Sequence, residues 1–109
     1  MTHEELYEKF LSRNEVTWAN MFGAKGLFIN GNCFVAFMNK KSLLLLRLDE
    51  EGQKLALQNK DAEYFDPEKK GKPMKSWITI PYDSVDKSTE RVIEAALHFA
   101  SSLPGKIRK

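Results

Sequence analysis

The pair Asn30-Gly31, set between the apolar runs GLFI and NCFVAF, limits what this chain folds into more than any other feature. Both central residues of a type I′ turn need positive φ, which Asn-Gly adopts at little cost, and the twist of that turn suits two antiparallel strands. Strands are therefore expected over residues 25–29 and 32–38. A second turn at Asn39-Lys40-Lys41 leads into SLLLLRL, a strand over 42–48, and completes a three-stranded meander. These strands do not alternate apolar with polar. Strict alternation would put Cys33, Val35 and Phe37 on one face and Phe34, Ala36 and Met38 on the other, and Leu43 to Leu46 fill both faces of the third strand. An antiparallel sheet with one wet face alternates, so this sheet is expected to be covered on both sides, by helices, by a second copy, or by both.

The flanking segments read as helices and two further strands. Thr2 and Glu5 have the spacing of a capping box, and Leu6, Phe10 and Leu11 follow at helical spacing, which predicts a helix over 3–13. Asp49 suits an N-cap and Glu50 and Glu51 suit the positive end of a helix over 50–58, which Gly52 weakens by up to about 1 kcal/mol. Residues 62–65 and 73–80 read as strands separated by Asp66-Pro67 and a lysine-rich loop. Val92, Ile93, Ala96, Leu97, Ala100 and Leu103 form the apolar stripe of a helix over 88–103, stopped by Pro104-Gly105. The chain of 109 residues suits one domain, 1–109, of class α+β. The expected architecture is two-layered: a five-stranded antiparallel sheet with helices, in the order helix, three strands, helix, two strands, helix.

Several kinds of chemistry find no footing. Gly23, Gly26 and Gly31 lack the spacing of a phosphate-binding or dinucleotide-binding loop, and strand-like residues follow Gly26. They read as glycines at a bend and a hairpin. His3 and His98 have no metal-ligand spacing, and no nucleophile-elbow or zinc-peptidase motif occurs. Cys33 is the only cysteine, so no internal disulfide forms, and among apolar neighbours it reads as a small hydrophobe. The sequence thus calls for no catalytic residue, cofactor or metal. The acidic N-terminus is unlike a signal peptide, and the longest charge-free run, 26–39, falls short of the ~20 residues that span a bilayer. The expected location is the cytoplasm, with no membrane contact.

Net charge is +2, with 17 basic and 15 acidic residues, too balanced to mark a nucleic-acid binder by itself. The basic residues cluster locally, however: Lys69, Lys70, Lys72 and Lys75 lie close to Trp77 in YFDPEKKGKPMKSW. Lysines over phosphates with aromatics under bases is how single strands are held. These five residues are the candidate site for an anionic partner, set against the plainer reading of a solvated loop interleaved with Asp66 and Glu68.

Four motifs in order, MFGAKGLFINGNCFVAF, LLLRLDEE, KGKPMKSWITIP and a final helix closing in SSLP, resemble the TfoX N-terminal domain family (TfoX/Sxy-like proteins) over residues 15–105. The resemblance implies a fold similar to the secretion-chaperone architecture and a bacterial protein linked to transcription and competence regulation. Longer members carry a helical C-terminal domain that this chain, ending at Lys109, is expected to lack. The family supplies no catalytic residues, and the matching positions Met21, Phe22, Gly23, Gly26, Lys72, Pro73 and Met74, like Gly31 in the turn, read as structural. The expected function is a non-enzymatic regulatory or adaptor module that binds a protein partner and pairs as a homodimer. The alternative is a nucleic-acid-binding accessory protein using the lysine loop.

Overall fold

The computed structural model describes residues 2–21, 24–65 and 74–104. Its elements run α1 (His3–Leu11), β1 (Val16–Met21), β2 (Ala24–Ile29), β3 (Asn32–Met38), β4 (Leu43–Arg47), α2 (Glu50–Ala56), β5 (Glu63–Phe65), β6 (Met74–Pro81), a single 3-10 turn (Tyr82–Ser84) and α3 (Lys87–Ser102). The six strands form one sheet in the order β1-β2-β3-β4-β6-β5, antiparallel at every pairing.

The class is the expected α+β, with three helices, but the sheet has six strands where five were expected. The extra one is β1, whose sequence VTWANM is too polar for the apolar-run criterion; it is held by pairing along its full length with β2. The hairpin between β2 and β3 has the expected turn, with φ of 56° at Asn30 and 78° at Gly31.

One face of the sheet carries the main core. Val35, Leu46 and Ile78 lie side by side across three strands, as do Phe37, Leu44 and Ile80. Onto them pack Leu6 and Phe10 of α1, Ala56 of α2, and the Val92, Ile93, Ala96, Leu97 and Ala100 stripe of α3. Strict alternation fails inside β3. Leu27 pairs with Val35 but Phe28 pairs with Cys33, leaving Phe34 as an extra residue in a bulge. A bulge re-aims side chains. Phe34 therefore joins Val35 and Phe37 in the main core, where it meets Phe10 edge-on, and not Ala36 and Met38 on the other face.

The second face is apolar as expected, but all three helices lie on the first. Ala24, Ala36, Met38 and Leu45 form a small buried cluster there, flanked by Leu43, Phe65 and Trp77. Ala36 and Leu45 are fully buried within the single chain.

The helix ends are closed by side chains. The capping box of Thr2 and Glu5 forms as read, and Asp49 accepts from the Gly52 N–H. Gly52 is a requirement more than a weakness: a β-carbon there would come within 2.7 Å of Leu48 Cδ2. Asp86 caps α3, accepting from the N–H groups of Ser88 and Thr89. At the other end of α3, the buried Asn32 amide donates to the carbonyl of Ala100 (3.4 Å), which also accepts from the Leu103 N–H, and to that of Pro104 (3.1 Å), just past the helix.

Candidate functional site

Lys69, Lys70, Lys72, Pro73, Phe22 and Gly23 lie outside the described residues. Lys75 and Met74 belong to β6, and Met21 ends β1. Trp77 is half-buried, packed against the second-face cluster. Gly26 lies between Ala19 and Ala36 in the sheet, and a β-carbon on it would approach the Phe28 ring to 3.0 Å, so close approach keeps that position small. Gly31 holds the left-handed turn position. The described part of the candidate site thus comprises one lysine on a strand and one inward-packed tryptophan.

A different group of residues comes together at the opposite end of the sheet. β1 is an edge strand, and Trp18 on it is 52% exposed, the most exposed large hydrophobic side chain among the described residues. It sits opposite Leu27, on the helix-bearing face. Lys25, on the neighbouring β2, places its ammonium 5.9 Å from the Trp18 ring and 5.7 Å from the Tyr7 ring of α1. Those distances are within the range of cation–π attraction. Tyr7 in turn meets Phe37 edge-on at 5.2 Å, which anchors the patch in the core. A cleft of about 490 Å³ opens beside it, bordered by His3, Glu4, Lys25 and Asn39. His3 stacks on Tyr82 at 3.7 Å, and the Tyr82 hydroxyl donates to Asn39 Oδ1 at 2.6 Å. Burial pushes the Tyr82 hydroxyl up to about 12, so it serves as a donor and not as a base.

Sequence reading passed over this patch because its parts are spread across α1, β1 and β2. The one available signal was an unexplained tryptophan in the polar segment 14–20.

A larger cleft, about 710 Å³, lies between the end of α2 and the start of α3. Two of the three acids that line it, Asp61 and Asp86, are committed to structure. Asp86 caps α3, and hydrogen bonds from the Ser88 side chain, then from backbone N–H groups, hold its carboxyl below the ordinary value of 3.8. Asp61 accepts from the Ser84 hydroxyl while the Asn59 amide donates to the Ser84 carbonyl, tying the turn after α2 to the 3-10 turn. Among the described residues no group of three or more His, Cys, Asp or Glu side chains is placed to hold a metal ion. His98 is exposed beside Glu94, 3.9 Å away, and Cys33 is buried. No helix among the described residues is long and apolar enough to cross a membrane.

Fold and surface together define a small α+β domain: helices on one face of an antiparallel sheet, a long edge strand that no described strand covers, and an aromatic–lysine patch beside it. The chain belongs to the TfoX N-terminal domain family, whose model matches residues 8–100. Among curated proteins none matches it.

Proposed function

We propose that this protein is a non-enzymatic regulatory or adaptor module that acts by binding another protein in the cytoplasm, in keeping with the transcription and competence regulation for which its family is named. The observation that carries this reading is the β1 edge. It presents a half-exposed tryptophan near Tyr7, with Lys25 beside both rings, and tryptophan and tyrosine are what protein interfaces favour at their centres. Two of the three acids of the 710 Å³ cleft, Asp86 as a cap and Asp61 as a tether, are held in structural roles, which supports reading the module as a binder and not a catalyst.

Affinity capture from the native cell tests it, run with and without nuclease and in parallel with a Trp18→Lys chain. The reading expects a protein that survives nuclease, rebinds the purified chain, and is lost or weakened by Trp18→Lys. Recovery of nucleic acid alone, abolished by charge reversal at Lys70 and Lys72, would replace it with the accessory nucleic-acid role. Phosphate contacts would then show as affinity falling steeply with salt.

A further inference from the structure

A charge sits between the two rings of the β1 patch. Lys25 is exposed, and its ammonium lies 5.7 Å from the Tyr7 ring and 5.9 Å from the Trp18 ring. The cations of α1 and of the turn after it are neutralised: Lys9 pairs with Glu90 and Arg13 with Glu94, both on α3. Lys25 makes no ion pair with any described residue, although Glu4 and Glu8 border the same cleft. Exposed as it is, the ammonium is solvated by water. A protein that covers Trp18 removes that water. The ring faces attract the cation, but its three N–H donors still need acceptors. A charge buried without a partner costs far more than the rings return.

We infer that the protein bound at this patch supplies a carboxylate to Lys25, from a single aspartate or glutamate set in an otherwise apolar segment. This rests on the protein-binding reading of the same patch and names the chemistry which that reading leaves open. The sheet puts neutral donors around the cation. Asn20 lies directly opposite Lys25 on β1, two residues from Trp18 and so on the same face. Asn39 lines the cleft together with Lys25, and its Oδ1 already accepts from the Tyr82 hydroxyl, which leaves the amide Nδ2 to donate. A cation flanked by amide donors matches an ionised carboxyl group, which only accepts. The apolar flanks follow from the rings, since Trp18 is half-exposed and Tyr7 lines the cleft. The limit to one acid follows from α1. Glu4 and Glu8 are exposed on the border of the cleft, and a run of acids or a chain of phosphates would be repelled by them.

The test is an NMR titration of the isotope-labelled full chain, in which the Trp18 indole N–H reports on the patch and that of Trp77, packed on the second face, serves as the control. The probes are the capped tripeptides leucine-glutamate-leucine, leucine-glutamine-leucine and leucine-lysine-leucine, and inorganic phosphate. The glutamate peptide is expected to shift the Trp18 indole and Lys25 amide signals saturably and to leave the Trp77 indole in place. The glutamine peptide is expected to bind roughly tenfold more weakly, because a neutral hydrogen bond replaces a charge-assisted one. Lys25→Met is expected to erase that preference and Lys25→Glu to transfer it to the lysine peptide, with unchanged signals elsewhere verifying that both chains fold.

Equal binding of the glutamate and glutamine peptides, or a preference that survives Lys25→Met, would overturn the carboxylate and leave the protein-binding reading standing. Phosphate that shifts the same signals as strongly as the glutamate peptide would overturn it in favour of a phosphate-bearing partner. No shift with any peptide would overturn the inference, and the affinity capture with Trp18→Lys then decides the wider reading on its own.

Discussion

Asn32 joins the first turn of the meander to the last turn of the final helix. Its side-chain amide is buried and donates to three carbonyls, those of Asn30, Ala100 and Pro104. Asn32→Asp turns that donor into an acceptor facing acceptors. We expect a loss of about 1–3 kcal/mol or more in urea unfolding, as for a buried polar group stripped of its partners. An unchanged midpoint would mean that the helix end does not rely on Asn32. Asp86 works through charge as well as geometry. Its folded carboxyl lies below its ordinary value, with the Ser88 side-chain hydrogen bond the largest cause. A depressed value means stability that is fully present above the unfolded value and lost as pH falls through the folded one. Asp86→Asn keeps a capping oxygen but cannot ionise. The stability gap between wild type and Asp86→Asn should therefore shrink as pH drops from 6 to 3, roughly across the carboxylate range. A gap that widens with acid would contradict the assignment. At this scale much was legible in advance: the capping box of Thr2 and Glu5, the Asp49 cap and the Asn30-Gly31 turn are all short-range features, set by spacing over two to four residues. The role of Asn32 was not, because its acceptors lie 68 and 72 positions away.

Element by element, the strands and helices with long apolar runs were legible and the polar strand was not. α3 runs Lys87–Ser102, within a residue of the expected 88–103 at each end, because its stripe, Asp86 and Pro104 all mark it locally. α1 and α2 stop two residues short of expectation, at Leu11 and Ala56. β1 escaped although Val16, Thr17 and Trp18 favour strands, because Ala19 and Asn20 break the run and pairing with β2 carries the strand on to Met21. The bulge that turns Phe34 inward is invisible to a period of two, since an inserted residue resets the alternation without any residue-type signal. Gly52 was read as a weak point in a helix, yet Leu48 packs where its side chain would be. Gly52→Ala should destabilise the protein by up to about 2 kcal/mol, because overpacking of about 1–3 kcal/mol is set against the ~1 kcal/mol gained in helix propensity. A stabilised variant in thermal unfolding would show that Leu48 yields easily.

At the scale of the whole molecule, the sheet has a helical face closed by the main core, a second face closed by its own smaller cluster, and one long edge that nothing described covers. Apolar residues on both faces were legible in the sequence; which of them the helices cover was not, since that depends on where three separated helices dock. The candidate site fared differently. The lysine loop was visible as a charge cluster, whereas the Tyr7, Trp18 and Lys25 patch exists only once α1, β1 and β2 are folded together. Trp18 is half-exposed, so Trp18→Ala should cost the single chain less than the roughly 3–5 kcal/mol of losing a core aromatic while reducing partner binding at least tenfold. Equal damage to both in parallel denaturation and binding measurements would make it a packing residue.

The central claim is that this surface binds a protein. The most direct measurement is titration calorimetry of the purified chain against the purified protein recovered with it, after nuclease treatment of both. Saturable binding that changes little with salt and is weakened at least tenfold by Trp18→Ala is the result expected. No heat of binding, or affinity that collapses with salt and is indifferent to Trp18→Ala, would contradict it.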